Sequence, residues 1–269
     1  MSQQTVYAIA SGKGGVGKTT ATVNIGTAIA QAGERVAVVD TDLGMANLAG
    51  FVSLRPDSHT LHDVLAGEVP IAEATYTLTD DIVAVPSGTD LTEYAATAPE
   101  KLREVVDGLR SEFDYVLLDV GAGVSHETVL PLGLADAVVL VSTPEPAAVH
   151  DTKKTIELTD RAGGTIEGLV INRTRPASDV SYEEIADRLE VSLLGTVPED
   201  PTVRDSVYAG TPLVVYDSDS PAATAYRRLA AELADLEVAV ADTDDGDDDT
   251  TTSHDEVSSA ITEAESDLG

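Results

Sequence analysis

A glycine-rich segment near the N-terminus has residue types that bind phosphate groups. Residues 12–19 read GKGGVGKT and match the pattern G-x-x-x-x-G-K-[ST], which forms a loop between a strand and a helix. Glycines let consecutive backbone N–H groups face an anion, and the helix start adds partial positive charge. We therefore expect Lys18 to contact the β- and γ-phosphates of a nucleotide and the Thr19 hydroxyl to bind Mg²⁺. The residues predicted to surround the nucleotide phosphates are Gly12, Lys13, Gly14, Gly15, Val16, Gly17, Lys18, Thr19 and Thr20.

Aspartates follow two apolar runs that are typical of buried strands. One run ends in Asp40 and is followed by Asp42, and the other ends in Asp119. A carboxylate at the carboxyl edge of a parallel strand beside a phosphate loop can hold a water bound to Mg²⁺. A second carboxylate two residues later can orient an attacking water. We expect Asp119 to act as a second Mg²⁺ contact and Gly123 to bring an N–H near the γ-phosphate. Strand-end acids that simply face solvent are the alternative interpretation.

A second lysine, Lys13, stands directly after the first glycine of the loop. The resulting signature K-G-G-x-G-K-T resembles that of the MinD/ParA family of deviant Walker-A ATPases. In that family the first lysine reaches across a dimer interface to the nucleotide of the partner subunit. The resemblance implies that Lys13 acts in trans and Lys18 in cis. It also implies that Asp40 lies near Mg²⁺ and that Asp42 is the catalytic residue that positions the attacking water.

Two further strand ends resemble the purine pocket of the same family. One strand ends in Asn172 and Arg173, and the next ends in the run V-P-E-D, which contains Pro198, Glu199 and Asp200. The resemblance implies that the amide of Asn172 reads the adenine edge with a paired donor and acceptor. It also implies that the segment around Pro198 supplies backbone contacts to the base.

Other segments resemble the dimer contacts of the family. Asn47 matches an interface position, and residues 143–145 (TPE) and 150–151 (HD) resemble a segment that contributes to the dimer. Three basic residues follow on one predicted helix: Lys153, Lys154 and Arg161. A solvated basic face and a patch that docks a partner are both compatible with this pattern.

The chain departs from the family pattern at Gly121, where typical members have a proline. The G-A-G sequence at residues 121–123 is more like the subgroup that regulates flagellar number and placement, which disfavours a strict division-site role. The C-terminus also differs, because MinD proteins commonly end in a basic amphipathic helix that binds membrane. Here the C-terminal residues are acidic, and no direct membrane anchor is evident.

The spacing of apolar and β-branched residues indicates the elements that hold these groups. Short apolar runs alternate with longer helical patterns, so we predict an α/β fold with a doubly wound, mostly parallel sheet and helices on both faces. The predicted strands are Thr5–Ala10, Arg35–Asp40, Ile82–Pro86, Tyr115–Asp119, Ala137–Ser142, Leu169–Asn172 and Leu193–Val197. The predicted helices are Lys18–Ala32, Pro99–Ser111, Ala147–Ala162, Tyr182–Leu189 and Ala222–Leu236.

The composition changes near residue 241, where Asp, Gly, Thr and Ser replace the apolar pattern. Residues 1–241 are predicted to form the ATPase domain, and residues 242–269 are predicted to be a disordered acidic tail that is too polar to bury a core. Four apolar residues of the tail fall close to helical spacing: Val257, Ile261, Ala264 and Leu268. This spacing is compatible with a nascent helix and also with a helix that docks a partner. A membrane-surface helix is disfavoured because it would carry Lys or Arg on its polar face.

The chain is strongly acidic, with 48 Asp and Glu against 16 Lys and Arg and a formal net charge of −32 over 269 residues. The predicted tail holds 11 of the acids, so residues 1–241 carry a charge of −21. Such a body repels itself at low ionic strength, whereas concentrated salt screens the repulsion. We interpret the charge as adaptation to a salty cytoplasm, and recruitment of a basic partner is the alternative.

Other compositional features exclude several classes of protein. The chain has no cysteine, which excludes disulfides, thiolate metal sites and clusters held by Cys. No run approaches the roughly 18 apolar residues of a membrane span, and no secretory leader is visible. We therefore expect a cytoplasmic protein that reaches poles or membrane only through a partner.

The leading hypothesis is an ATP-driven, Mg²⁺-dependent dimerisation switch that positions a cellular machine for division, motility or polar organisation. We expect a homodimer in the ATP-bound state, a protein regulator or cargo, and slow ATP hydrolysis. The first alternative is a ParA-like partition ATPase that binds DNA nonspecifically, which the acidic body disfavours because such binding relies on Lys and Arg. A patch containing Arg227 and Arg228 keeps that alternative open. The second alternative is a nucleotide-binding scaffold without turnover.

Overall fold

The computed structural model describes residues 4–51, 58–79, 81–90, 94–95, 97–123, 126–175 and 181–236. The strands within these ranges are β1 (Thr5–Ala10), β2 (Val36–Asp40), β3 (Tyr76–Thr79), β4 (Ile82–Val85), β5 (Tyr115–Asp119), β6 (Ala137–Ser142), β7 (Ile166–Thr174) and β8 (Leu193–Pro198). They form one sheet in the order β3-β4-β2-β5-β1-β6-β7-β8. Neighbouring strands are parallel except β3, which runs antiparallel to β4.

Helices cover both faces of the sheet. They are α1 (Lys18–Gln31), α2 (Leu61–Ala66), α3 (Leu102–Glu112), α4 (His126–Leu134), α5 (Pro146–Ala162), α6 (Tyr182–Leu189), α7 (Pro201–Tyr208), α8 (Leu213–Tyr216) and α9 (Pro221–Ala234). Short 3₁₀ turns span Leu48–Phe51, Ile71–Ala74 and Pro99–Lys101. Within the described residues, no helix combines the length and apolarity that a membrane crossing requires.

Two buried clusters account for the layered arrangement. On one face, residues of the central strands pack against α1 and α9, as Ile25 and Tyr226 illustrate. On the other face, they pack against α2, α3 and α6, as Leu65, Val106 and Ile185 illustrate. Continuous apolar strands are buried on both sides in this way, which is the pattern expected for parallel strands.

Strand register brings the predicted chemical residues to one edge of the sheet. Asp40, the last residue of β2, lies opposite Asp119, the last residue of β5. Asp119 is also paired with Ile9 of β1, one residue before that strand ends and the phosphate loop begins. The carboxyl ends of three adjacent parallel strands therefore meet at the glycine-rich loop, where ligands bind in open α/β sheets.

The predicted fold class is confirmed, with differences in detail. β3 was not predicted, because four residues of an antiparallel edge strand carry little pattern. The helices α2, α4, α7 and α8 were also not predicted; α4 contains a proline, Pro131, and α8 is a single turn. β7 is longer than the predicted strand and runs to Thr174. The predicted tail, residues 242–269, lies outside the described residues and remains a prediction.

Candidate functional site

The phosphate loop joins β1 to α1 and adopts a conformation that depends on glycine. Gly15 and Gly17 have positive φ angles of 78° and 97°, which non-glycine residues rarely adopt. Gly17 is the N-cap of α1 and the helix has no side-chain cap, so the first N–H groups remain for an anion. Gly12 packs against α5, where an added Cβ would overlap the backbone of Asp151 and Thr152.

The end of β7 holds the loop from the other side. The side-chain amide of Asn172 donates a hydrogen bond of 2.8 Å to the Val16 carbonyl. The guanidinium of Arg173 donates one of 2.8 Å to the Gly15 carbonyl. A Cβ on Gly17 would collide with the Asn172 amide nitrogen. Two consecutive loop carbonyls are thus tied to two consecutive residues of β7, which turns the loop N–H groups away from β7.

A buried cation and carboxylate lie at the base of the loop. Lys18 Nζ is 3.5 Å from Asp119 Oδ1, and both side chains are almost fully buried. Thr19 and Thr22 also hydrogen-bond to the Asp119 carboxylate. Burial raises the pKa of Asp119, and Lys18 and the two hydroxyls act in the opposite direction. The carboxylate therefore has a ready-made set of donors that favours its charged form.

Asp40 organises the loop that follows β2. Its Oδ2 accepts hydrogen bonds from the N–H groups of Asn47 (2.9 Å) and Leu48 (3.0 Å), and its Oδ1 accepts one from Asp42 (3.1 Å). Burial, together with the neighbouring charge of Asp119, raises the pKa of Asp40 to about 7, although the three N–H groups oppose this rise. Asp40 therefore fixes the loop, and its ionised form adds negative charge beside Asp119.

The groups at this site suit Mg²⁺ bound together with nucleotide phosphates better than a metal ion held by protein side chains alone. Among the described residues there is no group of three or more His, Cys, Asp or Glu side chains that could hold a metal ion. Mg²⁺ keeps several waters and binds through one or two carboxylates together with substrate phosphates. Thr19, Asp119 and Asp40 lie together as that chemistry requires, and their roles as Mg²⁺ contacts remain predictions.

Asp42 lies at the rim of the site and is half-buried. Its Oδ1 accepts a hydrogen bond of 3.0 Å from the N–H of Met45. The carboxylate packs against the α-carbon of Gly121, where an added Cβ would lie 3.0 Å from Asp42 Cγ. Asn47, the predicted interface residue, is exposed and its amide bonds the Met45 carbonyl. Gly123 has a φ of 116° and is exposed.

Two adjoining cavities lie along the phosphate loop. The first, of about 630 Å³, is lined by the loop and by Asp42, Asn47 and Gly121. The second, of about 650 Å³, is lined by the predicted base residues Asn172, Arg173, Pro198, Glu199 and Asp200. Both have lining residues in common: Gly17, Thr20, Arg173 and Val207. Together the two cavities have room for a nucleotide, and the placement of its phosphates in the first and its base in the second remains a prediction.

Part of the second cavity was missed from sequence. Val203, Arg204 and Val207 of α7 line it. The sequence did contain a signal for this helix, since Asp followed by Pro is a common helix start. In the structure Asp200 is the N-cap and accepts from the Thr202 N–H, and Pro201 is the first helical residue.

The polar groups of the base cavity are largely engaged within the protein. Glu199 accepts a 2.7 Å hydrogen bond from Arg175, which holds the pKa of Glu199 below its ordinary value. Asn172 Oδ1 accepts from the Arg173 N–H at 2.9 Å. Asn172 therefore retains one amide hydrogen and one oxygen lone pair for a base, and adenine reading remains a prediction.

Lys13 is exposed on the phosphate loop and, in the described part of the chain, takes part in no ion pair. Its positive charge contributes to the lowered pKa of two acidic residues, one just before α5 and one within it. The pKa of Glu145 is lowered mainly by a hydrogen bond from Thr143, with smaller contributions from Arg173 and Lys13. The pKa of Asp151 is lowered mainly by its hydrogen bond with Lys154, and Lys13 also contributes.

The basic face predicted on α5 is exposed. Lys153, Lys154 and Arg161 all face solvent, and Lys154 pairs with Asp151 at 2.8 Å. This pairing is the kind that exposed helix surfaces commonly carry.

Comparisons with known proteins found relatives that match most of the chain. Residues 2–234 match the ParA family model, which is described as an NUBPL iron-transfer P-loop NTPase. The chain is 40% identical over 227 residues to an uncharacterised ATP-binding protein of Methanocaldococcus jannaschii, covering 84% of this chain and 86% of that protein. It superposes on the cell division ATPase MinD of Pyrococcus furiosus with a TM-score of 0.81 and 37% identity, covering 88% of this chain and 100% of that one. It also superposes on the septum site-determining protein MinD of Pyrococcus horikoshii, solved in complex with Mg-ADP, with a TM-score of 0.79 and 35% identity, covering 85% and 95%.

Proposed function

Because the chain belongs to the ParA/MinD family of P-loop NTPases, we propose that it binds ATP with Mg²⁺, hydrolyses ATP and forms a homodimer in the ATP-bound state. The observation that carries this proposal is the buried pair Lys18–Asp119 beneath a cavity of about 630 Å³, with Asp42 at its rim. A cation, a metal-binding carboxylate and a second carboxylate near the γ-phosphate position are the groups that hydrolysis requires.

The proposed chemistry is phosphoryl transfer from ATP to water. Bound Mg²⁺ would neutralise charge on the phosphate oxygens. Lys18 and the N–H groups of the loop would hold the phosphates, and Thr19, Asp40 and Asp119 would hold the cation. Asp42 orients the attacking water from the rim. Positioning and electrostatic stabilisation provide most of the acceleration in such reactions.

Lys13 supports the dimeric part of the proposal. It is exposed beside its own phosphate cavity and is not used in an ion pair within the described residues. A lysine in this state is available to the nucleotide of a second copy. Each subunit would then complete the site of the other, and hydrolysis would release the pair.

The cellular task that we propose is the positioning of a machine such as a division, motility or polar apparatus, through a protein regulator or cargo. Support comes from the similarity to a cell division ATPase and to a septum site-determining protein. Iron transfer through cysteine ligands has no chemical support, because the sequence contains no cysteine.

A test of the proposal uses the Asp42→Ala protein in concentrated KCl. With ATP and Mg²⁺ we expect light scattering to report a dimer, and with ADP a monomer. Adding Lys13→Ala should abolish the ATP-dependent dimer. Adding Arg103→Ala, at an exposed cation on α3, should leave it intact. Wild-type protein should release phosphate from ATP, and Lys18→Ala should not.

The results separate the parts of the proposal. A Lys13→Ala protein that still dimerises with ATP would refute the trans-acting lysine. Dimerisation without phosphate release by the wild type would favour the scaffold alternative over an ATPase.

The DNA-binding alternative has weaker support. The guanidinium of Arg227 donates to the Ser218 carbonyl at 2.6 Å and to the Thr224 hydroxyl at 3.2 Å, so that group is partly engaged. Retention of the ATP-bound protein on nonspecific DNA at high salt would nevertheless favour this alternative, because phosphate contacts weaken steeply with salt.

A further inference from the structure

His62 is a buried histidine that lines neither cavity. It lies in the first turn of α2 and is 1% exposed. Its ring Nε2 is 3.0 Å from the carbonyl oxygen of Leu43, in the loop after β2. Its Nδ1 is buried and has no hydrogen-bond partner in the described structure.

The contact with Leu43 identifies which ring nitrogen donates. A carbonyl oxygen only accepts, so Nε2 carries a proton and donates, and in the neutral ring Nδ1 is then an acceptor. A buried acceptor without a partner is costly, and a leucine would fill a similar volume without that cost. The imidazole therefore supplies a directed hydrogen bond that an apolar side chain could not.

The first turn of α2 presents this donor rigidly. The Thr60 hydroxyl accepts from the His62 N–H at 3.2 Å, and the Asp63 carboxylate accepts from the Thr60 N–H at 2.7 Å, which completes a capping box. The N–H of Leu61 donates to the Pro86 carbonyl at 2.8 Å, just after β4. The position of the ring is thus fixed relative to the sheet as well as relative to its own helix.

The bond to Leu43 acts on the backbone that carries Asp42. On one side, the Asp42 N–H is held by Asp40 Oδ1 at 3.1 Å. On the other side, the carbonyl of Leu43, the residue directly after Asp42, is held by His62. We propose that His62 is a positioning residue for ATP hydrolysis, because its Nε2–H fixes the Leu43 carbonyl and thereby the placement of Asp42; the inference rests on the proposed role of Asp42.

The test compares four variants of the full chain in concentrated KCl with Mg-ATP. His62→Leu removes the donor and keeps the volume, and His62→Asn carries an amide too short to reach Leu43. His62→Gln places an amide donor near the Nε2 position. Leu65→Ala is the matched control, since Leu65 is a fully buried residue of the same helix whose loss destabilises α2 without removing a hydrogen bond.

We expect His62→Leu and His62→Asn to lower kcat for phosphate release by roughly tenfold to a hundredfold, as a small misplacement of a catalytic group does. KM for ATP and the Kd for Mg-ADP should change by less than about threefold, since Lys18 and the phosphate loop are untouched. His62→Gln should recover most of kcat. Leu65→Ala should lower stability while the folded protein keeps its kcat.

Several outcomes would overturn the inference. If wild type hydrolyses ATP and His62→Leu is equally active, the role of His62 is refuted and the proposed ATPase activity stands. An inactive wild type refutes both. If His62→Leu does not fold, the comparison of His62→Asn with His62→Gln decides. Ring ¹⁵N NMR is an independent readout, in which the Nε2–H tautomer is expected and an Nδ1–H tautomer would refute the contact.

Discussion

The α-carbon of Gly121 faces the carboxylate of Asp42, so closely that a β-carbon at position 121 would lie 3.0 Å from Asp42 Cγ and 3.1 Å from its Oδ1. Gly121 follows the buried end of β5, and Asp42 follows the end of β2. The absence of a side chain at position 121 therefore leaves room for the Asp42 carboxylate.

We predict that Gly121→Ala lowers the kcat of ATP hydrolysis by about threefold to tenfold. The added methyl group requires Asp42 to shift by a few tenths of an ångström, and displacement of a positioning group slows the reaction. The Kd for Mg-ADP should be unchanged, because the phosphate loop is not affected. Phosphate release and ADP titration measure the two quantities.

Gly108→Ala is the matched control for this substitution. Gly108 lies in α3, with no atom within 4 Å of an added Cβ. Alanine there should stabilise the protein by about 0.5–1 kcal/mol through helix propensity and leave kcat unchanged. Equal kcat values for Gly121→Ala and wild type would show that the contact with Asp42 has no catalytic consequence.

A second prediction concerns the amide of Asn172. Asn172→Asp replaces the donor to the Val16 carbonyl with an acceptor, so the loop carbonyl loses its partner and faces a carboxylate. We expect affinity for ADP and GDP to fall together by roughly tenfold or more, since a lost hydrogen bond at a buried group costs about 1–3 kcal/mol. Isothermal titration with both nucleotides measures the effect.

Asn24→Asp serves as the comparison. Asn24 is buried in α1 and lines neither cavity; its amide donates to the Thr20 carbonyl and its oxygen accepts from the Val214 N–H. This change should lower stability but leave nucleotide affinity within about threefold. A selective loss of ADP binding in Asn172→Asp, with GDP unaffected, would mean that adenine reading is its main role.

A third prediction is that Mg-ADP binds more tightly at pH 8 than at pH 6. Burial and the charge of Asp119 raise the pKa of Asp40 to about 7, from an ordinary value near 3.8. The stability that the protonated Asp40 gives the unliganded fold is present below pH 3.8 and is lost as the pH rises through about 7. The cation requires the ionised form, so affinity should rise by up to roughly tenfold across this window.

Titration of ADP without Mg²⁺ at both pH values is the control, because it isolates protonation of the nucleotide itself. The difference between the two series reports competition between the cation and the proton. Identical Mg²⁺-dependent gains at pH 6 and pH 8 would contradict competition between the cation and a proton on Asp40.

A fourth prediction concerns the contact between β1 and α9. Tyr7 donates its hydroxyl to the Leu233 carbonyl at 2.8 Å in the buried layer. Tyr7→Phe leaves that carbonyl without its donor and should lower the free energy of unfolding by about 1–2 kcal/mol. Urea unfolding at constant KCl measures the change.

The same contact has a pH signature. Burial raises the pKa of Tyr7 from 10.0 to about 12, so its contribution is complete below pH 10 and is lost as the pH rises to about 12. Wild type should therefore lose more stability than Tyr7→Phe between pH 9 and pH 11. Tyr216→Phe, at a half-exposed position in α8, should behave like wild type at every pH.

Much of the fold was predictable because its signals are local. The limits of β1, β5 and β6 agree with the continuously apolar runs, and the sheet is mostly parallel as the alternation of elements indicated. β3 could not be predicted, because an edge strand of four residues owes its structure to pairing with β4. α8 is likewise one turn, stabilised by packing and not by its own sequence.

The sequence by itself determined the phosphate loop, the aspartates at strand ends and the α/β class, since each depends on residues close together in the chain. Tertiary structure decided which groups hold the loops in place. The bonds from Asn172 to Val16 and from Arg173 to Gly15 join residues 156 and 158 positions apart. His62 reaches Leu43 only because α2 is anchored at the end of β4. Such contacts depend on how strands are ordered and helices packed, and no short segment of sequence carries that information.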